Sequence, residues 1–150
     1  MFRKILAAAA VLAVLAALAL SPVAHAGGDV GHPADTFAIA GASGNVANAT
    51  ATATLTVTAG QRAFMCSFSI TGGGATAGAL VNATITGLTG GTQTFVVGVA
   101  TGVTVGNAPI VFDINPCVPA ASVGTNIVLT VPALGAGNTN SAATITGYRY

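Results

Sequence analysis

The chain has 150 residues and is poor in charge: four Lys or Arg against three Asp or Glu, a formal net charge of +1, and 53% hydrophobic residues. Nucleic-acid binding needs several Lys or Arg side chains to neutralise phosphates, and this composition cannot build such a patch. Val, Ile, Leu and Phe recur along the whole chain, so it is expected to fold rather than remain disordered.

The first 26 residues read as an export signal. Arg3 and Lys4 precede an uninterrupted run of Ala, Val, Leu and Ile from Ile5 to Leu20. Ser21-Pro22 breaks the run, and Ala24-His25-Ala26 has the small-x-small form of a cleavage site. The run is shorter than the roughly 20 residues a spanning helix needs, which favours removal over a retained anchor. No Cys stands at the cleavage point to take a lipid. The expected mature chain begins at Gly27 as a single domain, secreted or periplasmic, with no membrane contact after cleavage. Its charges are then Asp29, Asp35 and Asp113 against Arg62 and Arg149, and His32 is its sole histidine.

Residues 27–48 are rich in Gly, Ala and Asp, and only Phe37 and Ile39 hint at a strand. They read as a flexible arm, or as a strand in need of a partner, such as one donated to a neighbouring subunit. From residue 49 the pattern changes to alternation. Ala51, Ala53, Leu55 and Val57 alternate with Thr52, Thr54 and Thr56, the period of a half-buried strand. After Ala59-Gly60, the row Phe64, Cys66, Phe68 and Ile70 is expected to face inward. Val81, Ala83 and Ile85 follow Gly72-Gly73-Gly74, and Phe95, Val97 and Val99 follow the Gly87–Gly91 turn. Ile110, Phe112 and Ile114 form a fifth inward row, Ile127, Leu129 and Val131 a sixth, and Ala142 to Arg149 a seventh strand centred on Ile145. Short strands with frequent turn signals and no helical periodicity predict an all-β fold: an antiparallel β-sandwich or jelly roll of about seven strands over 49–150.

Two cysteines in an exported chain most simply form one disulfide, Cys66–Cys117; the alternative is two buried thiols. Cys117 sits in Asn115-Pro116-Cys117-Val118-Pro119, which reads as a loop or strand end.

Catalytic and metal readings find little support. Asp29, His32 and Asp35 are spaced for a divalent metal, yet they lie in the weakest-folding segment with no second shell in view. A Ser–His–Asp triad has only His32 to use, and Gly41-Ala42-Ser43-Gly44 lacks the Gly-x-Ser-x-Gly of a nucleophile elbow. A glycosidase wants paired carboxylates, and Asp113 is the one carboxylate within the predicted strands. Cys66 as a nucleophile would need its base from the distant arm. The chain is therefore read as non-enzymatic, without catalytic, cofactor-binding or metal-binding residues. Thr-x-Thr recurs from Thr50 to Thr58 at alternate positions and again at Thr84/Thr86, Thr92/Thr94 and Thr144/Thr146, but no fixed period links these pairs, which argues against an ice-binding solenoid. Asn48-Ala49-Thr50 and Asn82-Ala83-Thr84 match the N-glycosylation acceptor pattern.

From Ala51 onward the chain resembles a group of small phage-associated β proteins. The resemblance rests on Thr58-Ala59-Gly60-Gln61-Arg62, Ser69-Ile70-Thr71-Gly72-Gly73-Gly74-Ala75-Thr76-Ala77-Gly78, Ile85-Thr86-Gly87-Leu88-Thr89-Gly90-Gly91-Thr92, Pro132-Ala133-Leu134-Gly135-Ala136-Gly137-Asn138-Thr139-Asn140 and Thr146-Gly147-Tyr148. It implies a compact sandwich of the virion-decoration or fibre-like kind, with no catalytic residues to carry over. The export signal departs from that group, whose virion proteins are not exported by the secretory route, and allows a secreted bacterial protein built on the same module. The resulting expectation is an exported structural or interaction module that contacts itself or other surface or virion proteins, possible homo-oligomers included. A carbohydrate-binding or other surface-binding sandwich is the alternative; it is the weaker one, since Trp is absent and Tyr148 and Tyr150 are the only tyrosines.

Overall fold

The computed structural model describes residues 36–150. The segment read as an export signal, the Asp29/His32/Asp35 group and residues 27–35 of the expected arm lie outside the described residues.

Ten strands follow one another: β1 (Phe37–Ala42), β2 (Ala51–Leu55), β3 (Ala63–Gly73), β4 (Ala77–Gly78), β5 (Leu80–Thr86), β6 (Gln93–Gly98), β7 (Ile110–Pro119), β8 (Ile127–Val131), β9 (Gly135–Ala136) and β10 (Asn140–Arg149). They build one four-stranded sheet ordered β1-β10-β3-β7, a second ordered β2-β8-β5-β6, and a small β4-β9 ribbon. Every pairing is antiparallel. The fold is thus the all-β sandwich expected.

The core is the sum of the inward rows. Leu55, Ile85 and Leu129 from the second sheet and Met65, Phe68, Ile70 and Ile145 from the first are each at most 1% exposed. β2 and β8 show the simplest logic. Their alternating patterns pair in unbroken register from Ala51↔Val131 to Leu55↔Ile127, so every second residue of both strands is buried.

The strand count exceeds the expected seven because β1, β4 and β9 join the scheme. β4 and β9 have two residues each, too short to carry a periodic signal. The arm expected over 27–48 is corrected from residue 37 on. β1 is not a free strand awaiting another subunit, because it pairs with β10 of its own chain from Phe37↔Arg149 to Ala42↔Thr144. Beyond it, backbone bonds Ser43 N–H to Ala143 O and Val46 N–H to Ser141 O, both 2.9 Å, continue the attachment.

A bulge in β3 corrects the expected inward row. Thr146 of β10 faces Ser67 but Gly147 faces Met65, so Cys66 is paired with neither. One unpaired residue flips the strand's alternation. Phe68 and Ile70 point inward as expected, whereas Ala63 and Met65 take the core positions N-terminal to the bulge, each 0% exposed. Phe64 and Cys66 leave the core row, and Phe64 stands on the outer face. Gly147 is needed at this crossing, since a Cβ there would fall on the Phe64 carbonyl oxygen.

A candidate interaction surface

The two sheets meet differently along their two flanks. Where β1 and β2 lie side by side, the sandwich is shut. Gly41 occupies an inward position opposite Ile145, and a Cβ on it would overlap the Thr54 backbone. The absence of a side chain lets the two edge strands close on each other.

The opposite flank, between the edges of β6 and β7, stays open. Phe112 of β7 pairs with the buried Phe68 and so faces inward, yet it is 42% exposed. Phe95 of β6 reaches across from the second sheet. The three rings form a wedge, with centroids 4.9 Å apart for Phe68–Phe112, 5.0 Å for Phe68–Phe95 and 5.3 Å for Phe95–Phe112. Such offset and tilted pairs are favourable beyond their buried area. The wedge holds the flank apart and leaves one face of it in water.

The two strands bordering this opening are not equivalent. β7 carries Asp113 on its exposed face and Pro116 and Pro119 near its end. Between Val118 (opposite Met65) and Asp113 (opposite Ser67) its chain makes an excursion away from the ladder. The disulfide Cys66–Cys117, with Cα atoms 4.4 Å apart, ties this excursion to the β3 bulge. Charge, proline and irregularity are the usual guards of a sheet edge. β6 has none of them. Its sequence Gln93-Thr94-Phe95-Val96-Val97-Gly98 pairs with β5 in unbroken register, and among the described residues no strand or isolated bridge occupies its other side. On the outer face beside it stand Val96, 68% exposed, and Leu80 of β5, 80% exposed.

Two other surface features stand apart from this flank. At the C-terminal end of β10, Phe64 is stacked between Tyr148 and Tyr150, with centroids at 4.8 and 5.1 Å and ring planes 1° and 20° apart. Burial, followed by the nearby Tyr150 phenol, raises the Tyr148 pKa. At one end of the sandwich, a shallow cavity of about 290 Å³ lies between Thr71–Gly74 and Val103–Gly106, with Asn140 at its rim. No ionisable side chain lines it, and its backbone donors are largely committed: Gly74 N–H to Val105 O at 2.9 Å, Asn107 N–H to Gly72 O at 2.9 Å, and Gly72 N–H to Asn107 Oδ1 at 2.7 Å. The fully buried Asn138 braces this end by donating to Gly73 O at 3.0 Å and Asn140 O at 2.7 Å.

Of the residues singled out by sequence, Cys66 and Cys117 are joined, and neither is a free thiol. Asp113 lies on the exposed face of β7 rather than in a cleft. Ser43 donates to the Gly44 carbonyl at 2.7 Å and accepts from Ala143 N–H at 2.9 Å, a structural role in the turn after β1. Asn48 and Asn82 are both exposed. Among the described residues, no three His, Cys, Asp or Glu side chains gather, and no helix is long and apolar enough to cross a membrane. The recurring threonines resolve into a row. Thr52 faces Thr130, Thr130 faces Thr84, and Thr84 faces Thr94, so one residue from each strand of the second sheet lines up across its outer surface. Sequence reading missed the open flank itself, because exposure of Phe112 and Val96 depends on which strands end up at the sheet edges.

Comparison with protein-family models, with curated proteins and with solved structures finds no match to this chain. The disulfide fits an oxidising compartment, such as the periplasm or the extracellular space.

Proposed function

We propose that this chain is an exported, non-enzymatic structural or interaction module that works by contact along its surface. The observation that carries this reading is the open flank: an inward-facing phenylalanine left 42% exposed, beside an edge strand without charge, proline or bulge. Edge strands of that kind recruit further β-structure through main-chain hydrogen bonds. The N-terminal signal pattern supports export, and the resemblance of the turn segments to phage-associated β proteins supports a role on a virion or cell surface. The partners are then copies of the chain or other surface or virion proteins.

Expression of the full chain in a secretion-competent host tests this reading. Intact mass is expected to show cleavage after Ala26 and recovery outside the cytoplasm. Light scattering and negative-stain imaging are expected to show defined oligomers or retention on isolated envelopes or virions. An unprocessed, cell-retained chain removes the export claim. A monomer that binds neither itself nor such surfaces removes the contact claim.

A second reading, a carbohydrate-binding module, is favoured by the Tyr148–Phe64–Tyr150 stack, because a partly exposed tyrosine face is a platform for a sugar ring. A glycan array on which the wild-type protein retains a ligand and Tyr150→Ala does not would favour it over assembly.

A further inference from the structure

Taking the contact reading as its basis, we infer that the partner at the open flank is a second copy of this chain. The two copies join β6 to β6 antiparallel about a two-fold axis at Val96.

The two sheets have four edge strands, β1 and β7 in one and β2 and β6 in the other. β1 and β2 close on each other through the side-chain-free Gly41. β7 is guarded by Asp113, Pro116 and its disulfide-bound excursion. That leaves β6, whose alternate N–H and C=O groups turn away from β5 as in any antiparallel edge.

The strand is complementary to itself in a register centred on Val96. In a continuous sheet, opposed residues must lie on the same face. Phe95 and Val97 pair with Ala83 and Val81 on the inner face, while Val96 pairs with Asn82 on the outer face. A two-fold axis at Val96 sets Val96 against its mate on the outside and Phe95 against Val97, twice, on the inside. A two-fold axis at Phe95 instead sets Val97 against Gln93 and Val96 against Thr94, apolar against polar. The Val96-centred register works whichever alternate set of backbone groups faces outward: either Val96 or Phe95 and Val97 make the paired hydrogen bonds.

Electrostatics and area select the occupant. β6 bears no ionisable side chain, so apposing two copies desolvates no charge and brings no like charges together. After Ala26 the chain carries three Asp against two Arg, a net charge of −1, which gives copies little mutual repulsion. The strand spans about 20 Å at roughly 3.4 Å per residue. With the flanking Phe112 and Leu80, such an edge covers about half of the roughly 800 Å² per partner of a standard stable interface. An interface of this smaller size class is of the weak, transient kind, so the dimer is expected to be reversible.

The test is sedimentation velocity, from about 10 μM to 1 mM, on protein expressed from the full-length chain after host processing. The wild type is expected to move from monomer mass to twice that mass. Val96→Lys places two ammonium groups opposite each other at the axis and is expected to weaken dimerisation at least about tenfold. Thr52→Lys, the same charge on the exposed face of β2, is expected to dimerise like wild type. Val96→Cys is expected to give a disulfide-linked dimer on a non-reducing gel, and Val123→Cys, on an exposed loop, is not. This readout does not depend on how well the lysine variant folds. A wild type that stays monomeric at 1 mM, or Val96→Cys that never cross-links, overturns the inference. If the wild type forms oligomers that Val96→Lys leaves intact, the β6 edge is wrong and the contact reading stands. Equal loss in both lysine variants also overturns it, since the effect would then be one of charge and not of place.

Discussion

Cys66 and Cys117 are joined at the single residue of β3 that its neighbour β10 leaves unpaired. The bridge therefore fixes an irregularity rather than a regular ladder. It holds the β7 excursion against the bulge that turns Met65, instead of Cys66, into the core.

This bridge closes a separation of 51 residues. In the chain-entropy model such a loop contributes about 4 kcal/mol by restricting the unfolded chain. Cys66→Ala/Cys117→Ala is expected to lower stability by an amount of that order, measured by urea denaturation. Thiol titration of the unfolded, unreduced protein is expected to find no free thiol, and two free thiols would contradict the bridge.

Gly41→Val tests the closed flank. The added side chain starts where the Thr54 backbone already lies, so β1 or β2 must move. A loss of about 2 kcal/mol or more is expected. The same change at Gly44, where nothing approaches but φ is +67°, is expected to cost less, through backbone strain alone. Thermal melts of the two variants give the comparison; equal losses would mean that the contact with Thr54 is not what closes this side.

Leu129 sits in the middle of the unbroken β2–β8 register and is 0% exposed. Leu129→Ala is expected to cost about 2–5 kcal/mol through lost burial and the cavity left behind. Leu80→Ala, at a position 80% exposed, is expected to change stability by under about 0.5 kcal/mol. Denaturant midpoints for the pair check whether the core and the open flank are assigned correctly.

Tyr148 gives a pH signature. Its pKa in the folded protein is raised above 10.0, chiefly by burial and then by Tyr150, so folding favours the neutral phenol. A raised folded-state pKa means that the unfolded chain ionises first. The stability linked to this group is complete below pH about 10 and is lost as pH rises from there through the folded value. Tyr148→Phe is expected to flatten that alkaline loss. Ultraviolet titration of the phenolate, compared between wild type and variant, is the measurement; a Tyr148 that titrates at or below 10 would contradict it.

What the sequence disclosed follows from local alternation. Ala51–Leu55 and Ile127–Val131 are read correctly because nothing interrupts their period of two. Phe64–Ile70 is misread over its first half because one extra residue at Cys66 shifts the phase without changing the composition. Phe37–Ala42 looked like an arm because Ala and Gly carry little strand signal, and its place was set by pairing with residues more than a hundred positions away. The open flank was not legible at all. Val96 and Phe112 lie in ordinary alternating strands, and only sheet order makes both strands edges. The Tyr148–Phe64–Tyr150 stack shows the same dependence, since it needs the bulge to bring Phe64 to the outer face.

The threonine row on the second sheet carries one last consequence. Thr52, Thr130, Thr84 and Thr94 offer the solvent hydroxyl groups at strand spacing, on a surface otherwise almost bare of ions. Hydroxyls of this kind neither titrate in the ordinary pH range nor gather a counterion atmosphere. The charge state of this face is thus the same across the ordinary pH range, and it offers dissolved ions little charge to screen.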